Sequence, residues 1–336
     1  VREHQPVLLQ EVLEHLCVVA GGDYVDATFG RGGHTGALLD RCAPDGRVLA
    51  LDRDPDAVAC GQAMAAAWGG RLTVMHSPFS RLAECVAQWQ QGYGRERGTG
   101  VDGIMFDLGV SSPQLDQPER GFSFRHEGPL DMRMDPSAGA GGSPRAMDLL
   151  ARMPEAELAD LIWTLGEERY SRRIARLIVE RRRTQPLTTT RELAELLERN
   201  VPRGAGRIHP ATRTFQALRI AVNGELRELE QGLEQGLACL APGGRIGVIS
   251  FHSLEDRMVK QAFRDAPELE VVPRKPVVPA PDEVQDNPRA RSARLRVAVR
   301  VPVAEQQETA AISRAPKGAD ALPAAWWTLP VRRNTR

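Results

Sequence analysis

Asp26-Ala-Thr-Phe-Gly-Arg-Gly-Gly-His-Thr-Gly36 sets an acid ahead of a run of glycines. Glycines so placed let a backbone turn tightly and approach a ligand, with the N–H groups of a helix start facing it. The spacing misses the dinucleotide pattern GxGxxG, because Thr35 stands at the last glycine position. A further acid pair, Asp52-Arg-Asp54, follows about 20 residues after Gly32, where a carboxylate takes ribose hydroxyls. Gly30, Gly32, Gly33 and Asp52 together suit a nucleoside ligand without requiring a pyrophosphate, and S-adenosylmethionine (SAM) is the obvious one. A glycine-rich turn is also an ordinary strand–helix connection, so this motif alone decides little.

A second constellation is Asp107-Leu-Gly-Val-Ser-Ser-Pro-Gln114, directly after an apolar strand-like run. Ligands of open α/β sheets sit at the carboxyl ends of strands, so Asp107, Ser111, Ser112 and Gln114 are expected to face the site. The plain alternative is a turn capped by Asp and Ser. Methyl transfer from a sulfonium needs in-line placement of two atoms more than acid–base machinery. An exocyclic amine on a base is a poor nucleophile, and acceptors such as Asp107 Oδ would favour its attacking geometry.

These residues need a scaffold. The first 110 residues alternate strand-like and helix-like stretches, the sign of a parallel α/β sheet. Strands are predicted over 24–28, 47–51, 72–75 and 101–106, with a helix after residue 6 leading into the first. A fifth strand is predicted over 244–251 and a last, antiparallel one over 294–301. The gap of about 135 residues before the fifth strand far exceeds one crossover helix. Apolar residues at helical spacing (Leu158, Leu161, Ile162, Leu165; then Tyr170, Ile174, Leu177, Ile178) fill it, and Thr189-x-x-Glu192 reads as a capping box. An all-helical insertion is expected there. One long helix is predicted from Pro210 to Leu240, ended by Pro242-Gly243. Residues 91–100 read as a polar loop.

Composition bounds the function. The chain has 336 residues and no apolar run long enough to cross a bilayer. Its first residues lack a basic stretch leading into an apolar one, so secretion is not expected. Five scattered cysteines without a CxxC pair argue against disulfides and a zinc site, and no metal is expected. Basic and acidic side chains balance at 44 each, which taken whole counts against a nucleic-acid partner. Yet 41 of the bases are Arg, and they cluster: Arg169 to Arg183; then Arg203, Arg207, Arg213 and Arg219; then Arg289 to Arg300. A GC-rich genome explains the abundance; solvated helix faces paired with Glu167, Glu168 and Glu180, or a phosphate-gripping surface, would explain the clustering.

Several long motifs carry a resemblance. His4-Gln-Pro-Val-Leu-Leu, Asp26 to His34, Leu51 to Pro55, Asp107 to Leu115, Arg120-Gly-Phe-Ser-Phe124, Gly128 to Asp135, His209 to Gln216, Ser250-Phe-His-Ser-Leu-Glu-Asp-Arg257 and Asn287-Pro-Arg-Ala-Arg291 run in order over most of the chain. They resemble the bacterial 16S ribosomal RNA cytosine-N4 methyltransferase family (RsmH, formerly MraW). The resemblance implies an enzyme that methylates N4 of a cytosine in the decoding centre, using SAM. It implies a class I SAM-dependent methyltransferase fold, Rossmann-like with a mostly parallel sheet and an inserted helical domain. It places SAM contacts on Gly32, Gly33, His34, Asp52, Phe79, Asp107 and Gln114. Read without it, Phe79 is core and His34 a first-turn surface residue.

Many amino-methyltransferases carry an aromatic after the fourth strand that stacks on the flipped base; here Ser112-Pro113 is followed by Gln114. Phe122 and Phe124 are the substitutes on offer, with packing of the helical insertion as the plainer role. The expected division is a methyltransferase domain over 1–118 and 209–301, a helical insertion over 119–208, and a flexible tail over 302–336. The expected setting is the cytoplasm, with 16S ribosomal RNA or the small subunit as partner, no membrane and no DNA. Oligomeric state is left open, a homodimer included. Competing readings are a nicotinamide oxidoreductase, a DNA amino-methyltransferase, and an RNA-binding protein without turnover.

Overall fold

The computed structural model describes residues 6–92, 100–137, 142–202 and 208–301. His4, Arg203, Arg207, most of the 91–100 loop and the expected tail lie outside them.

Among the described residues, seven strands form one sheet. In chain order, α1 (Leu9–His15), β1 (Asp23–Asp26), α2 (Gly33–Arg41), β2 (Arg47–Asp52), α3 (Pro55–Ala65), β3 (Leu72–His76), α4 (Leu82–Gln91) and β4 (Val101–Asp107) make the first half. Then come α5 (Ser112–Asp116), α6 (Ala146–Arg152), α7 (Glu155–Gly166), α8 (Ser171–Thr184), α9 (Thr190–Asn200), α10 (Thr212–Asn223) and α11 (Glu225–Cys239). The chain closes with β5 (Leu240–Ser250), α12 (Ser253–Asp265), β6 (Leu269–Val271), α13 (Pro281–Asp286) and β7 (Arg294–Arg300). The strand order is β3-β2-β1-β4-β5-β7-β6. Strands β1 to β5 run parallel, and β7 inserts antiparallel between β5 and β6. This is the class I methyltransferase arrangement.

The central strands are buried on both faces, which is why they read as continuous apolar runs. One face of the sheet packs Leu38, Leu39, Met105 and Ile249. The other packs Leu49, Leu51, Phe106 and Val248. Short β6 escaped the sequence reading because three residues, an exposed Glu270 between two half-buried apolar ones, are too few to establish a period.

The helical region has its own core, centred on Leu158, Ile162, Ile174, Leu193 and Leu197. The Thr189 capping box forms as expected: Glu192 N–H donates to Thr189 Oγ1 (3.2 Å), and Thr189 N–H donates to Glu192 Oε2 (2.9 Å). The single long helix expected from Pro210 to Leu240 is instead two, broken at Gly224 (φ 60°). The two halves bury different faces, and that is the physical reason for the break. Phe215, Leu218 and Val222 of α10 join the helical core, whereas Leu229 and Leu233 of α11 pack on the sheet. One straight amphipathic stripe cannot meet both surfaces. Asn223, just before the break, is a buried rivet: its Nδ2 donates to Met132 O (2.7 Å) and its Oδ1 accepts from Met134 N–H (2.8 Å).

A Cβ at Gly224 would meet no atom within 4 Å, so only the left-handed backbone opposes a side chain there. Gly224→Ala should therefore lower the unfolding free energy by about 1 kcal/mol, read as a reduced urea midpoint with an unchanged slope.

Candidate active site

Strand order reverses between β1 and β4, and loops leaving their carboxyl ends part there to open a crevice. A cavity of about 630 Å³ occupies it. Its wall brings together Gly30, Gly33, His34, Asp52, Phe79, Asp107, Ser111, Ser112 and Gln114, residues up to 84 positions apart in the chain. Gly32 is the exception. It caps α2 with φ 75°, and a Cβ there would meet the Phe29 ring at 2.7 Å and Met64 Sδ at 2.8 Å, so its bareness serves packing behind the loop. A Cβ at Gly33 would meet Pro6 Cγ at 2.4 Å, which is how the N-terminal segment closes over the turn.

The acids at the strand ends differ in how they are held. Asp26 accepts from Thr35 Oγ1 (2.7 Å) and Thr28 N–H (3.1 Å); burial still pushes its carboxyl up to about 6. Asp52 accepts from Gly30 N–H (2.8 Å) on one oxygen and Asp54 N–H (2.8 Å) on the other. Its carboxylate thus pins the glycine loop to the end of β2. Its pKa is raised, first by burial and against the pull of those N–H groups.

Asp107 is the unsatisfied one. Its backbone N–H donates to Thr28 Oγ1 (2.6 Å), fixing β4 to the β1 loop, but Oδ1 is covered and has no hydrogen-bond partner among the described residues. Burial first, then the carboxylates of Asp26 and Glu255, pushes Asp107 up to about 8. His34 Nε2 lies 3.7 Å from Asp107 Oδ2, beyond a hydrogen bond, and burial lowers His34 to about 4, leaving it neutral at pH 7. The expectation that His34 is a surface residue fails, because the start of α2 is roofed by the 6–8 segment and only 6% of the residue is exposed.

The 111–114 loop is braced from three sides. Ser111 N–H donates to Gln114 Oε1 (3.0 Å), and Gln114 Nε2 donates to Asp54 Oδ2 (2.7 Å). Arg120 Nη2 reaches the same Asp54 oxygen (2.9 Å) and the Met134 carbonyl (3.0 Å). Arg289 donates to Ser112 Oγ (2.7 Å) and Asp116 Oδ1 (2.7 Å). The sequence offers no role for Arg120, and it groups Asp54 only with Asp52 and Arg289 only with the arginine cluster, not with this loop.

Phe79 stands edge-on to Phe106, ring centroids 5.5 Å apart. Phe122 is buried in the helical core and Phe124 packs on His209 (4.7 Å) and Phe215 (4.9 Å), so both take the packing role. At the β5 end, Glu225, His252 and Glu255 bring ligand-type atoms within 4.8 Å of one another. Arg219 supplies the positive charge there, binding both Glu225 oxygens at 2.8 and 2.7 Å. Burial would raise Glu255, but His252, the Arg219 charge and the Phe251 N–H together hold it below the ordinary value.

Most of the clustered arginines have structural partners. Arg182 donates to the Leu150 and Met153 carbonyls, Arg296 pairs with Asp256 (2.7 Å), and Arg213 donates to Glu167 O. Glu167 binds Ser253 and Arg257 instead of a neighbouring helical arginine, because it leaves α7 in a left-handed turn (φ 49°) toward α12. Glu168 accepts from Tyr170 N–H. Arg172, Arg173 and Arg183 are exposed, and among the described residues they make no hydrogen bond or ion pair.

The cavity's volume falls in the range of small-molecule sites. Carboxylates on adjacent strand ends, one with a bare acceptor, suit a cationic nucleoside such as SAM. Residues 1–301 match the family model described as the MraW methylase family. The chain belongs to the MraW methylase family. Two of its relatives are ribosomal RNA small subunit methyltransferases H. That of Magnetococcus marinus is 50% identical over 317 residues, covering 88% of this chain and 98% of that protein. That of Nitrosococcus oceani is 47% identical over 316 residues, covering 89% and 97%. Among solved structures, a putative rRNA-methylase from Clostridium thermocellum is similar at a TM-score of 0.43 and 13% identity, covering 89% of this chain and 100% of that one. No helix among the described residues is long and apolar enough to cross a membrane.

In this family member the raised Asp107 has a consequence for stability. The folded state holds a proton that the unfolded state has released between about pH 4 and pH 8, so stability falls as pH rises through that window. Asp107→Asn should remove the slope and leave the variant about 1–3 kcal/mol more stable than wild type at pH 8.5, after discounting for the side chain's opening to the cavity. Urea midpoints of both proteins at pH 5 and pH 8.5 check this; equal differences at the two values would contradict it.

Proposed function

We propose that this chain transfers the methyl group of SAM to the exocyclic N4 amine of a cytosine in the decoding centre of 16S ribosomal RNA. Family membership and the relatives' names support the coarser statement: the chain is a SAM-dependent ribosomal RNA methyltransferase. The observation that carries the choice of an amine is the bare, covered acceptor Asp107 Oδ1 at the end of β4.

SAM supplies an electrophilic methyl carbon on a sulfonium. The protein's part is to hold and orient. The Gly30–His34 turn and Asp52 hold the nucleoside, with Phe79 beside it, and a base unstacked from the RNA enters between the sheet's carboxyl edge and the helical insertion. The N4 amine donates a hydrogen bond to Asp107, which localises the nitrogen lone pair toward the methyl carbon. The N–C bond forms as the S–C bond breaks, and one amine proton leaves. Burial keeps Asp107 protonated at neutral pH, so its open Oδ1 orients the amine as a hydrogen-bond acceptor, and the amine proton is released to solvent.

The Ser111–Gln114 loop sets the base's position by its bracing rather than by its hydroxyls, since Ser112 Oγ already accepts from Arg289. The insertion over 119–208, with α10 packed on it, forms the other wall of the base pocket in this reading. The setting is the cytoplasm, with the small ribosomal subunit as partner.

Labelled SAM and undermethylated small subunits should yield N4-methylcytidine on nucleoside analysis. Asp107→Ala should lose at least about 100-fold in rate, the scale of a lost transition-state contact. Undiminished transfer, or label on another atom, would overturn the assignment. The exposed arginines of α8 give a separate expectation. An Arg172→Ala/Arg173→Ala/Arg176→Ala variant should bind the RNA with a salt slope lower by about 2 to 3, about one per phosphate contact. An unchanged slope would return that face to ordinary solvated surface.

A further inference from the structure

Helix α11 forms one wall of the cavity and presents Glu228 to it, near Phe79. Apart from Asp107 at the end of β4, three further acids lining the cavity are tied. Glu225 is held by Arg219, Asp52 by two backbone N–H groups, and Glu255 by the Phe251 N–H at 2.8 Å. The Glu228 side chain makes no hydrogen bond or ion pair with the described residues, and its Oε2 is covered without a partner. Leaving a covered carboxylate oxygen unmet is costly, and such a group stands ready for a donor that arrives with a ligand.

The position of Glu228 says which part of the ligand that is. Gly232 lies one helical turn further on, on the same face of α11. A Cβ at Gly232 would stand 2.6 Å from Phe79 Cδ2, so the helix backbone lies against the Phe79 ring. Glu228 and Phe79 therefore border the same stretch of cavity. The end of β2 reaches this stretch too, because Arg53 Nη1 donates to Asn223 O (2.9 Å) just before α11 begins. Arg53 also lines the cavity, and its Nε is a covered donor without a partner among the described residues. An acceptor and a donor left open beside an aromatic ring match a flat heterocycle whose edge carries an amine next to a ring nitrogen.

We propose that Glu228 is a specificity residue for the methyl donor, accepting a hydrogen bond from the exocyclic amine of its adenine. The inference rests on the SAM reading above and deepens it. A deaminated purine presents a carbonyl oxygen where adenine presents N–H, and that oxygen would face a carboxylate. The site should thus reject the hypoxanthine form by leaving a charged acceptor unmet, as sites built around one hydrogen bond do.

The test is calorimetric titration of wild type, Glu228→Gln and Glu228→Ala with S-adenosylhomocysteine and S-inosylhomocysteine. Wild type should prefer the adenosyl compound by about tenfold or more, the scale of a charge-assisted hydrogen bond. Glutamine can turn its amide to donate, so Glu228→Gln should bring the two affinities within about threefold. A ratio unchanged in both variants, or both ligands weakened equally, would overturn the role of Glu228 while leaving the SAM reading in place. No preference in wild type would do the same. Failure of wild type to bind either compound would overturn the SAM reading itself and this inference with it.

Discussion

Carboxylates crowd the carboxyl ends of β1, β2 and β4, and keeping Asp26, Asp52 and Asp107 there is the constraint on which the rest depends. Burial raises the cost of each charge, and a neighbouring carboxylate adds to it. The protein answers with donors from its own loops. Thr28 and Thr35 serve Asp26, and the Gly30 and Asp54 N–H groups serve Asp52. These bonds shape the glycine turn, so the loop conformation and the acid positions are one feature. Asp107 alone is left with an open acceptor, and it stands where strand order reverses.

The walls around that point come from distant parts of the chain and are joined by a few polar contacts, most of them buried or half-buried. Asn223 ties the 132–134 segment to the start of α11. Asp54 gathers Gln114 and Arg120 onto the end of β2. Arg289 fastens the segment before β7 to α5, and Glu283 accepts from Leu8 N–H at the start of α1 (2.8 Å). Buried contacts of this kind specify one arrangement because breaking any of them leaves a partner unmet. The helical region and the sheet are thereby held in register across the cavity.

Arginine is divided between two tasks. Arg47, Arg182, Arg219 and Arg296 are committed to buried or half-buried partners, where a planar fork satisfies two acceptors at once. The remaining exposed ones on α8 start beside the α7–α8 corner that binds α12 through Glu167, so the basic face begins next to the site's β5 edge. Net charge conceals this, because it averages committed and free cations.

The alternation of strands and helices, the antiparallel last strand, the inserted helices and the Thr189 cap were legible in residue order because each rests on local periodicity or local hydrogen bonds. The glycine turn and the acids at strand ends were legible for the same reason. What residue order could not decide is who satisfies whom. Gln114 read as a ligand contact, and it lines the cavity while its amide also braces Asp54 and Ser111. Gly32 read as part of the ligand turn, and the structure gives its missing side chain a further reason, room for the Phe29 ring. One apparent helix from 210 to 240 became two because its halves meet different cores. Glu228 carried no signal at all, since an unmet acceptor exists only when three dimensions have assigned every other donor.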